Sequence, residues 1–181
     1  MVGLENGTVR LTPCTNVWKQ LFDEEKSRLQ VAIGKYVLDI QHVGSTSIPG
    51  MVAKPIIDIA IAVNNFEEAC VCRMPIEQLG YEYKGEYGIP RRHFFIPGNP
   101  RTDHIHMNEL GSRDWNDLLI FRNNLTQHQE YAKEYAEPKV ELARQDPADW
   151  EAYLDGKAPF IGRVLQVARS EAKESDCVGR A

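Results

Sequence analysis

The segment from Gln41 to Ile59 holds residues whose types and spacing could bind a metal–phosphate group. An apolar stretch enters the turn Gly44-Ser45-Thr46-Ser47, and a second apolar stretch follows with Asp58 in its middle. Backbone N–H groups at a Gly/Ser turn can hold an anion, and a nearby carboxylate can hold a divalent cation. We therefore predict that the turn and the carboxylate face a common ligand site.

The turn differs from two well-known motifs that bind phosphate or carry a nucleophile. A Walker-type loop has four residues between its glycines and ends in Gly-Lys-Ser/Thr. Here five residues separate Gly44 from Gly50, and Met51 follows. Gly44-Ser45-Thr46 also lacks the G-x-S-x-G frame of a nucleophile elbow. Taken alone, the segment is equally typical of a plain tight turn.

Asp58 gives the metal hypothesis its weight. A carboxylate within the apolar run from Ile56 to Ile61 is costly to desolvate without a partner. The residue could lie at a strand end and accept backbone N–H groups, or it could bind a metal. We favour the metal ligand, because strand alternation leaves this carboxylate few other partners.

Two histidines offer further ligands. His104 and His106 alternate within a predicted strand, so both side chains lie on one face, which Asn108 shares. Together with Asp58 they could form a site of two histidines and one carboxylate, or a zinc-like site. Hydrogen bonds from the histidines to a phosphate or to neighbouring backbone are the alternative, and the spacing does not separate the two.

The segment from Ile89 to His106 carries an excess of positive charge. It holds three arginines and three histidines against a single aspartate. Arg91 and Arg92 stand just before a predicted strand, and the guanidinium fork suits a phosphate or a carboxylate. At least one of this pair is expected on the solvated surface.

Length and composition set the remaining bounds. The chain has 181 residues, 43% of them hydrophobic, and a formal net charge of −5. The negative charge disfavours non-specific binding to nucleic acid, which needs a basic footprint. The sequence contains no run of about 18 apolar residues, so we expect no membrane span. Its start also lacks a basic region followed by an apolar one, so we expect no signal peptide. We expect a cytoplasmic protein without membrane binding; the sequence indicates no oligomeric state.

The flanking pattern predicts the elements that must position these side chains. Apolar residues at helical spacing predict a first helix that ends at Gly34, and another helix is predicted from Phe66 to Leu79. Pro75 should end the latter early or kink it. Strands are predicted over Tyr36 to Val43, Pro55 to Val63, Tyr81 to Tyr87, His93 to Ile96 and Thr102 to Leu110.

The pattern becomes helical from Gly111 onward, where Ser112 is a predicted N-cap. Pro138 should kink or split the helix around it. Further helical stretches are predicted over Glu130 to Gln145, Ala148 to Leu154 and Pro159 to Ala172. The fold class is therefore α+β. We expect a single domain over residues 1–181, with a sheet part over 1–110 and a helical part over 111–173.

Two stretches, His42 to Gly50 and Ala53 to Ile59, resemble the signature of the GrpB family. Further segments that carry the resemblance are Gly88 to Phe95, Arg101 to His106, Trp115 to Arg122, Tyr135 to Ala143 and Tyr153 to Leu165. The family is placed in the nucleotidyltransferase superfamily, which shares the fold of DNA polymerase beta. The resemblance thus implies a mixed β-sheet flanked by helices. A related module is fused to dephospho-CoA kinase in some bacteria.

The resemblance also implies a metal site with one member replaced. Enzymes of that superfamily place a Gly-Ser turn before a strand that carries two acids one residue apart, with a third acid on a later strand. Ser45 matches the turn serine and Asp58 the first acid, but Ala60 stands at the second acid position. The implied metal is Mg²⁺ or Mn²⁺, with Zn²⁺ less favoured. The candidates for the missing ligand are Glu86, His104 and His106.

Basic residues of the helical half match the family pattern as well. Lys139 and Lys157 could close over a phosphate from the helical side, or they could be solvated. The residues predicted to bind phosphate or substrate are Gly44, Ser45, Thr46, Ser47, Lys54, Arg91, Arg92, Arg122, Lys139 and Lys157. The residues predicted to be catalytic are Asp58, His104 and His106.

The function implied by the resemblance is metal-dependent transfer of a nucleotidyl group from a nucleoside triphosphate to an unknown small acceptor. A module that binds a nucleotide or another phosphorylated small molecule without catalysis is the first alternative, and Ala60 favours it. A structural domain that acts through a protein partner is the second alternative, against which the arginine- and histidine-rich segment argues.

Overall fold

A five-stranded mixed sheet forms the centre of the molecule, for which a computed structural model describes residues 2–5, 7–145 and 150–178. Its strands are β1 (Val37–Val43), β2 (Ile57–Val63), β3 (Tyr81–Tyr83), β4 (Arg92–Pro97) and β5 (Asp103–Glu109). Their spatial order is β1-β2-β5-β4-β3. β2 and β5 run parallel, whereas the other neighbours run antiparallel.

Helices cover both faces of this sheet. They are α1 (Val17–Ile33), α2 (Arg73–Gln78), α3 (Arg113–Gln127), α4 (Gln129–Gln145) and α5 (Trp150–Val178). α1 and α2 pack on one face, while α3 packs on the other and joins α4 and α5. Within the described residues, no helix combines the length and the apolar character that crossing a membrane requires.

β2 is buried on both faces, as its composition predicts for a central strand. Ile57, Ile59 and Ile61 point into the large core beneath α1 and α2. The alternate positions face α3, where Ala60 packs against Trp115. This alternation, with a period of two residues, places Asp58 on the α3 face of the sheet.

The pairing of β2 with β5 sets the position of the histidines. Asp58 lies opposite His104 and Ala60 lies opposite His106 in the parallel register. All four residues therefore share one face of the sheet, at the end where β2 and β5 begin. His106 thus lies beside the position at which the resemblance leads one to expect a second acid.

The fold class predicted from the sequence is confirmed: the structure is α+β, with a mixed sheet flanked by helices and a helical C-terminal part. One predicted strand is too long, because the strand that begins at Tyr81 ends at Tyr83. A turn follows in which Gly85, Tyr87 and Gly88 have positive φ, and the left-handed region is incompatible with strand pairing.

The helix predicted from Phe66 to Leu79 is also shorter in the structure. Glu68–Cys72 forms a 3₁₀ turn, and α2 follows as a helix of 6 residues. Pro75 falls in the first turn of α2, where its missing N–H would have had no partner in that helix. The proline therefore starts a short helix instead of kinking a long one.

The prolines of the last two helices do not divide them. α4 is continuous across Pro138, and α5 is continuous across Pro159 from Trp150 to Val178. The predicted break between Leu154 and Pro159 is therefore wrong, whereas residues 148 and 149 lie outside the described residues. An interior proline costs about 3 kcal/mol or more, and we attribute its tolerance to tertiary packing. The packed residues of these helices include Tyr135, Phe160 and Val164.

Candidate functional site

A cleft of ≈ 550 Å³ opens between the α3 face of the sheet and helices α3 to α5. Its size falls within the usual range for small-molecule sites. The polar and charged residues along it are Ser45, Thr46, Lys54, Asp58, Arg92, His104, His106, Asp114, Asp117 and Lys157. The aromatic residues along it are Tyr87, Phe94, Phe121, Tyr135 and Tyr153. The cleft thus combines apolar walls with convergent polar groups.

The predicted catalytic residues come together on the floor of this cleft. Asp58 Oδ1 lies 3.2 Å from His104 Nδ1 and 3.5 Å from His106 Nε2. One ligand atom from each of these three residues falls within 4.8 Å of the others, which is compatible with a shared metal ion. Both histidine side chains are largely buried, at 12% and 14% exposed.

The protonation of the pair Asp58 and His104 suits a metal. Burial opposes ionisation of Asp58, but hydrogen bonds from the two histidines outweigh it and hold the pKa of this carboxyl well below its usual range. Burial lowers the pKa of His104, although its hydrogen bond to Asp58 opposes this. An ionised carboxylate therefore faces a neutral imidazole, and these are the forms that bind metal ions.

The Gly/Ser turn sits directly against Asp58. Gly44 has φ of 68°, and a Cβ at this position would collide with Asp58 Oδ2. Ser45 Oγ accepts a hydrogen bond from Lys139 Nζ at 3.0 Å. Both remaining hydroxyls of the turn have partners within the protein. Thr46 Oγ1 donates to the carbonyl of Ile56 and lies 3.0 Å from His42 Nε2, and Ser47 Oγ donates to the carbonyl of Gly44.

Lys54, Lys139 and Lys157 are brought to this end of the cleft from three parts of the chain. Lys139 is buried, and its Nζ also donates to the carbonyl of Val52 at 2.6 Å. The ammonium groups of Lys54 and Lys157 lie 5.2 and 4.4 Å from the ring centre of Tyr153. Aromatic faces attract cations, so the ring helps to hold both ammonium groups in place.

The three lysines share a poorly solvated environment. Burial lowers the pKa of Lys54 to about 6, with a further contribution from the nearby charge of Lys157. It lowers the pKa of Lys139 to about 7 and that of Lys157 to about 8. In each case the charge of Asp58 opposes the shift but does not cancel it. A bound dianion would favour the charged form of these ammonium groups.

Tyr135 and Tyr153 belong to the site but were not among the residues predicted from the sequence. Tyr135 lines the cleft, and the ammonium of Lys139 lies 4.7 Å from its ring centre. The signal that could have found them is a shared spacing, Tyr-x-x-x-Lys, which ends at Lys139 in α4 and at Lys157 in α5. Residues four apart on a helix lie on one face.

Arg92 is the member of the arginine pair that reaches the cleft. Its guanidinium Nη1 lies 3.3 Å from His106 Nδ1, and Nη2 donates to the carbonyls of Glu86 and Tyr87. The side chain is buried, and its guanidinium carbon lies 4.6 Å from the ring centre of Phe94.

Three residues predicted for the site lie elsewhere. Arg91 is on the surface and pairs with the carboxylates of Glu67 and Glu109. The carboxylate of Glu86 accepts the backbone N–H of Arg91, and this residue is not part of the metal-compatible cluster. Arg122 donates to the side chain of Gln41 and to the carbonyl of His42, so it fastens α3 to β1.

Most of the chain is similar to known proteins of a single family. A family model described as GrpB protein matches residues 8–167. Glutamate-rich protein GrpB of Alkalihalophilus pseudofirmus is 33% identical over 171 residues, which covers 91% of this chain and 98% of that protein. UPF0157 protein YqkA of Bacillus subtilis is 45% identical over 153 residues, which covers 84% of this chain but only 45% of that protein. The chain thus spans less than half of YqkA.

A solved structure agrees with the sequence matches. The crystal structure of conserved protein GrpB from Enterococcus faecalis superposes with a TM-score of 0.85 at 31% identity, covering 90% of this chain and 99% of the other. A distant likeness, with a TM-score of 0.46 at 11% identity, covers 71% of this chain and 45% of a Cid1 poly(U) polymerase chain. The family model covers most of the chain, and the chain matches two GrpB proteins over nearly their whole length. The chain therefore belongs to the GrpB family.

Proposed function

We propose that this protein is a metal-dependent nucleotidyltransferase that acts from a nucleoside triphosphate on a small acceptor. The observation that carries the proposal is the meeting of two kinds of group in one cleft. The carboxylate of Asp58 and the imidazole of His104 are 3.2 Å apart, and the Gly/Ser turn and three poorly solvated lysines lie near them.

The lysines and the turn would bind the phosphate groups of the nucleotide. Their desolvated ammonium groups lie close to a single carboxylate, so this end of the cleft has room for further negative charge. Charge-assisted hydrogen bonds from ammonium groups to phosphate oxygens are stronger than neutral ones. The aromatic walls formed by Tyr87 and Phe94 offer a surface for the remainder of the ligand.

Asp58, with one or both histidines, would hold the divalent cation. A set of one carboxylate oxygen and imidazole nitrogens suits Mn²⁺ or Zn²⁺ better than Mg²⁺, which prefers oxygen ligands only. Of Mg²⁺ and Mn²⁺, the two ions that the resemblance favours, Mn²⁺ therefore fits these residues better. When bound, such an ion neutralises phosphate charge and polarises a phosphorus–oxygen bond.

In the proposed reaction an acceptor hydroxyl attacks the α-phosphorus of the triphosphate. The bond from that phosphorus to the bridging oxygen breaks, pyrophosphate leaves with the bonding electrons, and the hydroxyl proton passes to solvent or to a buffering base. The three lysines would stabilise the charge that develops on the pyrophosphate, because such preorganised groups act strongly where water is scarce.

Binding without transfer is the second candidate function, and Ala60 is the observation that favours it. This position faces the cleft side of the sheet and has no group that could hold a second metal ion. A site with one metal ion could retain a nucleotide or another phosphorylated metabolite without turning it over.

Calorimetry with Mn²⁺ and a non-hydrolysable ATP analogue tests the proposal, followed by a pyrophosphate-release assay with ATP and candidate acceptors. We expect Mn²⁺-dependent binding in the wild type and a loss of at least about tenfold in Asp58→Asn. Asp114→Asn is the matched control, because this carboxylate lines the same cleft but bonds to Asn108. Equal binding with and without Mn²⁺ would contradict the metal site. Binding without pyrophosphate release would favour the second candidate.

A further inference from the structure

Arg92 fixes the side chain of His106 from behind. Its Nη2 is anchored by the carbonyl oxygens of Glu86 at 3.3 Å and Tyr87 at 2.9 Å, and Nη1 is directed at His106 Nδ1 at 3.3 Å. Only 6% of Arg92 is exposed, so this arrangement is shielded from water. The ring of Phe94 packs against His106 with centres 5.1 Å apart and supports the orientation of the imidazole.

The chemistry of the two groups determines which imidazole nitrogen carries the hydrogen. A guanidinium only donates hydrogen bonds, so His106 Nδ1 must accept. In the neutral ring the hydrogen then resides on Nε2, which lies 3.5 Å from Asp58 Oδ1 and faces the cleft. His106 therefore presents an N–H donor to the cleft.

This tautomer is the opposite of the one that a metal ligand needs at Nε2. A histidine that binds metal through one nitrogen usually donates the hydrogen of the other to a carboxylate or a carbonyl. Here the group behind Nδ1 is a cation that itself donates. Binding of a metal by His106 Nε2 would move the hydrogen to Nδ1, where it would face the guanidinium N–H.

We propose that Arg92 is a positioning residue that holds His106 in the Nε2–H tautomer. His106 then directs its single N–H at Asp58 when no ligand is bound and at a phosphate oxygen when the ligand is bound, while the metal is held by Asp58 and His104. The assignment of metal and phosphate rests on the proposed function. The tautomer does not, since it follows from the contacts of Arg92 alone.

Nitrogen-15 NMR of the imidazole groups tests the tautomer on the full chain without metal or nucleotide. The spectrum of His106, identified by its absence in His106→Gln, should show hydrogen on Nε2. In Arg92→Met the ring should lose this preference and report a mixture of tautomers. Arg92→Lys retains a donor and should restore part of it. Hydrogen on Nδ1 in the wild type, or an unchanged spectrum in a folded Arg92→Met, would overturn the proposal.

Pulsed electron paramagnetic resonance of bound Mn²⁺ tests the ligand assignment. We expect one coordinated histidine nitrogen, lost in His104→Gln together with at least about tenfold in Mn²⁺ affinity. The coordinated nitrogen should persist in His106→Gln, which keeps an N–H donor. Two coordinated nitrogens, or a signal lost only in His106→Gln, would overturn the proposal. Absence of any bound Mn²⁺ would instead contradict the proposed function and leave the NMR result to decide the tautomer.

Discussion

Lys54, Lys139 and Lys157 should make anion binding by this site dependent on pH. Their pKa values, about 6 for Lys54, 7 for Lys139 and 8 for Lys157, lie far below the usual range because of burial. A bound anion favours the charged ammonium, so binding must be accompanied by proton uptake wherever the free lysine is neutral. We predict that sulfate affinity is highest below pH 6 and falls as pH rises through 8, by up to about tenfold per pH unit for each lysine involved.

Calorimetry with sulfate from pH 6 to pH 9, in two buffers of different ionisation enthalpy, measures both the affinity and the protons taken up. Sulfate keeps its charge over this range, so the change in affinity comes from the protein. Lys157→Met should bind sulfate more weakly at pH 6 and show less proton uptake near pH 8. Lys133→Met is the control and should behave as the wild type, because Lys133 lies on the same helix as Lys139 but does not line the cleft. A pH-independent affinity would contradict the prediction.

Single residues of the site could be predicted from the sequence where the relevant geometry is local. His104 and His106 share a face because alternation along a strand has a period of two, and the structure places both beside Asp58. The sequence could not predict whether Arg91 or Arg92 lines the cleft. Neighbouring residues of a strand point to opposite faces, and the start of β4 depends on the preceding turn. A shift of one residue would have exchanged their roles.

At the scale of whole elements, the strands were predictable apart from the end of β3, whereas the helix boundaries around prolines were not. β2 lies within the range predicted from Pro55 to Val63. This strand was predictable because an apolar run with turn signals on both sides is typical of a central strand. Pro138 and Pro159 suggested boundaries that the structure lacks, since packing of α4 and α5 on the aromatic core overrides a local preference. That core combines residues more than 100 positions apart, such as Ile48 and Phe160, so no local pattern reveals it.

Pro159 should therefore be a point at which α5 can be stabilised. Pro159→Ala restores a helical N–H and removes the clash of the proline ring with the preceding helical turn, although the unfolded chain becomes more flexible. We expect the free energy of unfolding to rise by roughly 1–2 kcal/mol, measured by urea denaturation. Pro75→Ala is the control: this proline lies in the first turn of α2, so we expect no gain there. A lower stability of Pro159→Ala would show that α5 depends on the proline.

The molecule as a whole combines a negative net charge with a positive interior site. The formal charge is −5, yet Lys54 and Lys157 line one cleft of ≈ 550 Å³, and Lys139 donates a hydrogen bond to Ser45 at its edge. Non-specific binding of nucleic acid needs many phosphate contacts spread along a basic surface. A cleft of this size accommodates one small ligand, so the two kinds of anion should be distinguished.

We predict that tripolyphosphate binds to the protein at physiological salt, whereas a random-sequence oligonucleotide does not. Calorimetry measures the binding of tripolyphosphate. Fluorescence anisotropy of a labelled oligonucleotide of about 20 nucleotides measures the binding of nucleic acid. Lys139→Met should weaken tripolyphosphate binding, because the ammonium that contacts Ser45 is lost. Oligonucleotide binding that weakens steeply with added salt and persists in Lys139→Met would locate the basic footprint outside the cleft, and the small-anion interpretation would then fail.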